Sequence, residues 1–328
     1  MPGVPTPSIL SSDSNLVIVA YIQGGRTFGL GHVYRSELVI SELEAFDVKV
    51  HICFDGDEFG KHQLQNLGKV PISFDDLETI EKIDVLLIDG IYMPEPFTAL
   101  IKKTQRVILL SPVFDHPEIA TEAYLRFVPI NSNYTNPFVG RMWSVVGKGS
   151  SQTSSISESR LSIGVSLSGG VSSNLTQTLA AIIEIPNLSK LIRVLKVAIG
   201  GHSFKDVEEI LKPLISMNID LVVVRANGNI ISALSPVDIV ICGDGITVDE
   251  TCHAGIPCVV YADISRKYKV IDLIASNAIC FSSNLQELKR LILELLTNED
   301  KRKELGRIAA SKVDGKGAHR IAEKILSR

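Results

Sequence analysis

Three absences set the bounds of this chain. The first is a long apolar run: no stretch reaches the ~20 residues that a helix needs to cross a bilayer, so no transmembrane segment is expected. The second is basic excess. Lys and Arg total 33 against 37 Asp and Glu, a formal net charge of −4, whereas a nucleic-acid-binding surface normally shows a basic stripe. Nucleic acid is therefore not an expected partner. The third is paired cysteine. Cys53, Cys242, Cys252, Cys258 and Cys280 form no C-x-x-C and leave an odd total, which reads as buried thiols in a reducing cytoplasm and not as a disulfide framework. Cys252-His253 has no second ligand pair at useful spacing, so no metal is expected. Residues 1–15 hold Pro, Ser and Thr without a basic stretch followed by a long apolar segment, and read as a disordered lead-in, not a signal peptide. No repeat at solenoid period is present.

What the chain does have is core. Of its 328 residues 45% are hydrophobic and 21% charged, the balance of a soluble globular protein with room for two domains. Apolar strands alternate with amphipathic stretches throughout: Leu16–Ile22, Val48–Phe54, Val85–Ile88, Arg106–Leu110 and Leu125–Ile130 as strands, with helices over Val33–Phe46 and Pro96–Lys103. Strands that are β-branched and apolar at successive positions belong to parallel sheets covered on both faces. The small polar run Gly147–Ser155 interrupts the pattern and reads as a linker or exposed loop. The alternation then restarts, with strands at Leu161–Leu167, Val194–Ile199, Asp220–Val224, Val237–Cys242 and Cys258–Tyr261. Helices follow over Leu175–Glu184, Val207–Met217, Thr247–Ala254, Leu285–Leu296, Asp300–Ala310 and His319–Leu326. The expected fold class is α/β, two Rossmann-like lobes with parallel sheets facing each other across a cleft. The expected divisions are a lead-in (1–15), a first lobe (16–150), a linker (151–160) and a second lobe (161–328).

Ligands of such folds sit beyond the carboxyl ends of the strands, which points to the strand-to-helix turns for chemistry. Gly29-Leu30-Gly31-His32-Val33-Tyr34-Arg35 lies between the first strand and its helix. Its glycines permit close backbone approach, and histidine is a side chain suited to proton transfer under working conditions. Two roles fit the spacing: His32 caps the helix, or it transfers a proton. In the second half, Ser168-Gly169-Gly170 leads to Ser173-Asn174-Leu175-Thr176, where Asn174 and Thr176 are plausible caps or phosphate donors; a purely structural turn fits as well. Gly243-Asp244-Gly245-Ile246-Thr247-Val248-Asp249-Glu250 lets backbone amides at a helix start face a diphosphate. Glu250, one turn in, either accepts hydrogen bonds from a ribose diol or interacts favourably with the helix dipole. Arg225-Ala226-Asn227-Gly228-Asn229 is either a simple turn or a backbone surface for a base edge.

Together these pieces resemble the UDP-sugar hydrolase of pseudaminic acid biosynthesis and its spore-coat polysaccharide relatives, within the two-Rossmann-lobe (GT-B type) glycosyltransferase superfamily. The resemblance rests on Gly29–Arg35, Asn174-Leu175-Thr176, Asn229–Leu234, Asp238–Ile241, Gly243–Glu250 and Ala254-Gly255-Ile256-Pro257, and spans about Leu16 to Pro257. It implies that the second lobe binds UDP, with Gly169, Asn174, Thr176, Asn227, Gly245, Ile246, Thr247 and Glu250 as nucleotide-binding positions. It implies that His32 is the catalytic base that activates water at the anomeric carbon, with Gly29, Gly31 and Arg35 on the substrate. No cofactor is implied. The substrate implied is a UDP-linked acetamido-deoxy sugar of surface polysaccharide or nonulosonic acid synthesis.

Three positions depart from the family. Its Asp-x-Tyr after the third strand is here Asp89-Gly90-Ile91, with Tyr92 one residue late. Its Asp-Pro pair before Asn-x-Thr is here Val171-Ser172. Its Asn-Gln pair after the Gly-x-Pro strand is here Asp263-Ile264-Ser265-Arg266. The leading expectation is a nucleotide-sugar hydrolase. The alternatives are a glycosyltransferase, in which His32 deprotonates a hydroxyl acceptor, and a non-catalytic nucleotide-sugar binder.

Overall fold

The computed structural model describes residues 16–130, 133–147, 160–167, 172–199, 204–225 and 229–327. They form two six-stranded parallel sheets. The first contains β1 (Ile18–Gly24), β2 (Val50–Gly56), β3 (Ile83–Asp89), β4 (Thr104–Leu109), β5 (Glu122–Leu125) and β6 (Pro137–Val139), ordered β2-β1-β3-β4-β5-β6. The second contains β7 (Leu161–Ser166), β8 (Ile192–Ile199), β9 (Asp220–Arg225), β10 (Ile239–Cys242), β11 (Cys258–Tyr261) and β12 (Cys280–Ser282), ordered β12-β11-β10-β7-β8-β9.

The continuous apolar strands follow from burial on both faces. Along β1, Ile18, Ala20 and Ile22 enter one core and Val19 and Tyr21 the other, as a side-chain period of two requires. Helix Gly31–Glu44 covers the first face through Val33, Val39, Ile40 and Leu43. The opposite face receives Leu77 and Leu100 from helices Phe74–Glu78 and Glu95–Lys102. In the second sheet Ile239 and Ile241 of β10 point one way and Val240 and Cys242 the other. Each Val, Leu or Ile side chain buried in this way contributes about 1.5–3 kcal/mol. All five cysteines are buried and free. Among the described residues no helix is long and apolar enough to cross a membrane.

Two segments differ from the sequence reading. The strand expected over Leu125–Ile130 ends at Leu125; Pro129 has no N–H for a ladder, Arg126 turns toward the second lobe, and Val128 and Ile130 are exposed. The last helix, Gly317–Leu326, lies in the stretch assigned to the second lobe. It packs on the first, placing Ala318, Ile321, Ala322 and Ile325 beside Val39, Ile40 and Leu43. The chain thus returns to the first lobe to finish its core.

The lobes meet through a buried ionic junction. Asp249, fully buried, accepts from Arg126 Nη1 at 2.9 Å, Arg141 Nη1 at 2.6 Å and Ser144 Oγ at 3.1 Å. Arg141 also grips Asp272 with two prongs, Nε to Oδ2 at 2.9 Å and Nη2 to Oδ1 at 2.8 Å. Arg126 Nη2 donates to the Asp244 carbonyl at 3.0 Å. Arg126 and Arg141 come from the first lobe, Asp244, Asp249 and Asp272 from the second.

Candidate active site

Gly29 lies in the loop that follows β1, with φ +77°, a left-handed backbone that suits glycine. Its carbonyl accepts from Gly25 N–H at 3.1 Å, which closes a tight loop before the helix. Gly31 opens that helix. A Cβ added at Gly29 or Gly31 would meet no atom within 4 Å, so backbone is presented to open space there.

Of the two roles open to His32, capping is not the one built. The helix N-cap is Leu30, without a side-chain cap bond. His32 instead turns Nδ1 onto Asp89 Oδ1 at 2.7 Å. Asp89 ends β3, next to β1 in the sheet, and is completely buried. Arg35, one helical turn after His32, donates to the same carboxylate through Nε at 2.7 Å to Oδ2 and through Nη2 to Oδ1. Ser36 Oγ donates to Oδ2 at 3.1 Å. Burial pushes the Asp89 carboxyl up, and the Arg35 guanidinium and His32 more than offset it, so the group lies below its ordinary value.

Two partners compete for Nδ1: the Asp89 oxygen at 2.7 Å and Arg35 Nη2 at 3.0 Å. An ionised carboxylate only accepts and a guanidinium only donates. Nη2 already donates to Asp89, so the shorter contact decides: a proton on Nδ1 makes it a hydrogen bond, where a bare Nδ1 would face the carboxylate lone pair to lone pair. The lone pair then resides on Nε2, the nitrogen free to take a proton. This is the arrangement in which an aspartate orients a histidine base. Arg35, expected on the substrate, has its Nε and Nη2 on Asp89.

Beside this cluster, Gln23 Oε1 accepts from Ile91 N–H at 2.6 Å and shapes the loop after Asp89. Tyr92 meets Phe28 edge-on, ring centroids 5.8 Å apart. Tyr21 Oη and Gln23 Nε2 both donate to Asp55 Oδ2, at 2.7 and 2.9 Å.

Across the junction, Gly245, Ile246 and Thr247 form the turn into helix Thr247–His253. Gly245, like Gly29, has nothing within 4 Å of an added Cβ. Glu250 is nearly enclosed, and its Oε2 has no hydrogen-bond partner. Burial first and the neighbouring Asp249 second push its carboxyl up to about 8, against the pull of the Ile230 backbone N–H. Both causes favour its protonated form. Asn229 caps helix Ile230–Leu234 through Ile231 N–H at 2.9 Å and donates to the Gly147 carbonyl at 3.3 Å. Asn174 is exposed and Thr176 half-buried in helix Ser172–Ile183. Gly169 and Asn227 lie outside the described residues. Arg126 joins the two halves of the site: it touches the Asp244 carbonyl and its guanidinium lies within electrostatic reach of Arg35.

Sequence reasoning placed Asp89 at a departure from the family and missed that it is the partner of His32. An apolar strand ending in a carboxylate, Val85-Leu86-Leu87-Ile88-Asp89, was the available signal. Arg126, Arg141 and Asp249 were missed as a set.

Compared by sequence, the chain matches no protein-family model and no curated protein. Compared by structure, it is similar to UDP-GlcNAc 2-epimerase from Neisseria meningitidis bound to UDP-GlcNAc, with TM-score 0.64, 13% identity, and 95% of this chain and 100% of that one covered. MurG of Acinetobacter baumannii gives TM-score 0.58 at 12% identity, covering 95% and 100%. The spinosyn rhamnosyltransferase SpnG gives 0.56 at 13%, covering 94% and 100%. The fold is of the GT-B type: two parallel-sheet lobes with flanking helices.

Proposed function

We propose that the protein is an enzyme acting at the anomeric carbon of a UDP-linked acetamido-deoxy sugar, with water as acceptor and UDP as leaving group. The observation that carries this reading is the His32–Asp89 pair, a base with its tautomer set. Nε2 takes a proton from water as the oxygen attacks the anomeric carbon. The bond from that carbon to the diphosphate oxygen breaks, and the electron pair leaves with UDP. Asp89 stabilises the imidazolium that forms. The Gly245 turn and Glu250 hold diphosphate and ribose, and the junction through Arg126 sets their position relative to His32. Fold neighbours that handle UDP or UDP-sugars, among them the epimerase named above and a Staphylococcus aureus MnaA structure with UDP, support the substrate class.

A second reading, transfer to a hydroxyl acceptor, is favoured by the Phe28–Tyr92 aromatic pair. An aromatic surface in the first lobe suits the apolar face of an acceptor. Incubation with UDP-N-acetylamino sugars, following UDP, separates the readings. Release without acceptor is expected for hydrolysis, and release only on adding an acceptor means transfer. Calorimetric UDP binding with no release under either condition leaves a binding protein and overturns the catalytic claim.

A further inference from the structure

The segment after β11, Ile264–Val270, forms a short 3-10 helix and carries Arg266, Lys267 and Lys269 where the resembled family has an amide pair. Two of these cations converge on one atom. Arg266 Nε lies 2.9 Å and Lys269 Nζ 3.2 Å from Asp244 Oδ2, the carboxylate between Gly243 and Gly245. Asp244 is buried, yet neither contact is aligned as a hydrogen bond to that oxygen.

Arg141 gives the contrast inside the same molecule. Its guanidinium engages Asp272 through two aligned prongs, at 2.9 and 2.8 Å, and is buried. That is how an arginine is used when its role is to hold structure. Arg266 approaches Asp244 off-axis and is 53% exposed, so its fork of donors is not engaged by that carboxylate. Asp263, at the start of the segment, also feels Arg266, yet Arg266, Lys267 and Lys269 against Asp244 and Asp263 still leave positive charge in excess, and Arg126 already has its charge matched by Asp249. Tyr268, packed edge-on against Phe127 with centroids 5.7 Å apart, anchors the segment, so the cations are presented from a fixed wall. In the adjoining helix the unpartnered Oε2 of Glu250 marks a second polar group that the protein itself does not satisfy.

We propose that Arg266 and Lys269 form an anion subsite at the mouth of the Gly243–Gly245 turn, with Asp244 as its built-in counter-ion, and that it takes a phosphate or carboxylate group of the substrate. This deepens, and rests on, the reading of the cleft as a nucleotide-sugar site. The anion has two possible sources with one chemistry: the nucleotide's diphosphate, or an acidic substituent on the sugar. Asp244 prevents the two cations from repelling each other, and an entering anion exchanges with it for the aligned donors of Arg266.

The test is calorimetry on wild type, Arg266→Gln and the double variant Arg266→Gln/Lys269→Gln, with uridine, UDP, UDP-glucose, UDP-glucuronic acid and inorganic pyrophosphate. Arg266 is half exposed, so its single variant keeps the fold, and melting curves check both. A loss of about tenfold or more for UDP and pyrophosphate, with uridine unchanged, assigns the subsite to the diphosphate. A loss confined to UDP-glucuronic acid assigns it to an acidic sugar. Equal affinities in wild type and both variants for every ligand overturn the subsite and leave the nucleotide reading standing if UDP binds. Variant-sensitive pyrophosphate binding without any UDP binding keeps the subsite and overturns the nucleotide reading. A wild type that binds none of the five overturns both.

Discussion

The two walls of the cleft treat their buried carboxylates in opposite ways. In the first lobe Asp89 receives His32, both arms of Arg35 and Ser36, and lies below its ordinary value despite complete burial. In the second, Glu250 has an oxygen without a partner and is pushed up to about 8. On the proposed function the difference separates two kinds of functional group. A base must be oriented before the substrate arrives, and that orientation comes from a saturated network. A binding group is completed by its ligand, so its own protein leaves it unsaturated. The Asp249 junction between them is saturated as well, which keeps the second wall at a set distance from the first.

Four substitutions break or sharpen that contrast. Asp89→Asn removes the charge that fixes the His32 tautomer. Turnover is expected to fall on the order of ten-thousand-fold, as when an orienting aspartate is lost, read as UDP release by a sample whose circular dichroism is native. Asp249→Ala leaves Arg126 and Arg141 buried without their shared partner and should destabilise by about 3–5 kcal/mol, measured by urea unfolding. Glu250→Gln acts in the other direction. A carboxyl raised from 4.5 to about 8 in the folded protein costs stability as pH rises through that window, because the unfolded chain ionises freely and the folded one does not. The variant should therefore gain on wild type by up to about 1.4 kcal/mol per pH unit across the window, seen as a melting-temperature difference that widens from pH 5 to 8. Smallest is Gly245→Ala. Its Cβ meets nothing within 4 Å, so stability should stay within about 0.5 kcal/mol while UDP affinity falls; an unchanged affinity would remove this turn from the nucleotide site.

Much of the architecture was legible because burial on two faces writes itself into consecutive β-branched residues. Cys258–Tyr261 falls where the sequence placed it, and helix Thr247–His253 differs by one residue. The short strands Pro137–Val139 and Cys280–Ser282 carry too few residues for a period to register. The site was legible only by halves. His32 stood out because an imidazole in a glycine turn is conspicuous, but Asp89 lies 57 residues away and only the sheet order makes them neighbours. Arg126 sat in an apolar run and read as part of a strand; its partner Asp249 is 123 residues distant. Local pattern encodes which face is buried, whereas ion pairs between lobes depend on how the finished sheets meet.

The central claim is that His32 acts in the chemical step and the second lobe in binding. Measuring UDP release and UDP affinity on one preparation of His32→Ala tests it most directly. Release is expected to fall by about a hundred- to ten-thousand-fold with UDP affinity unchanged within about twofold. Release at the wild-type rate would contradict it.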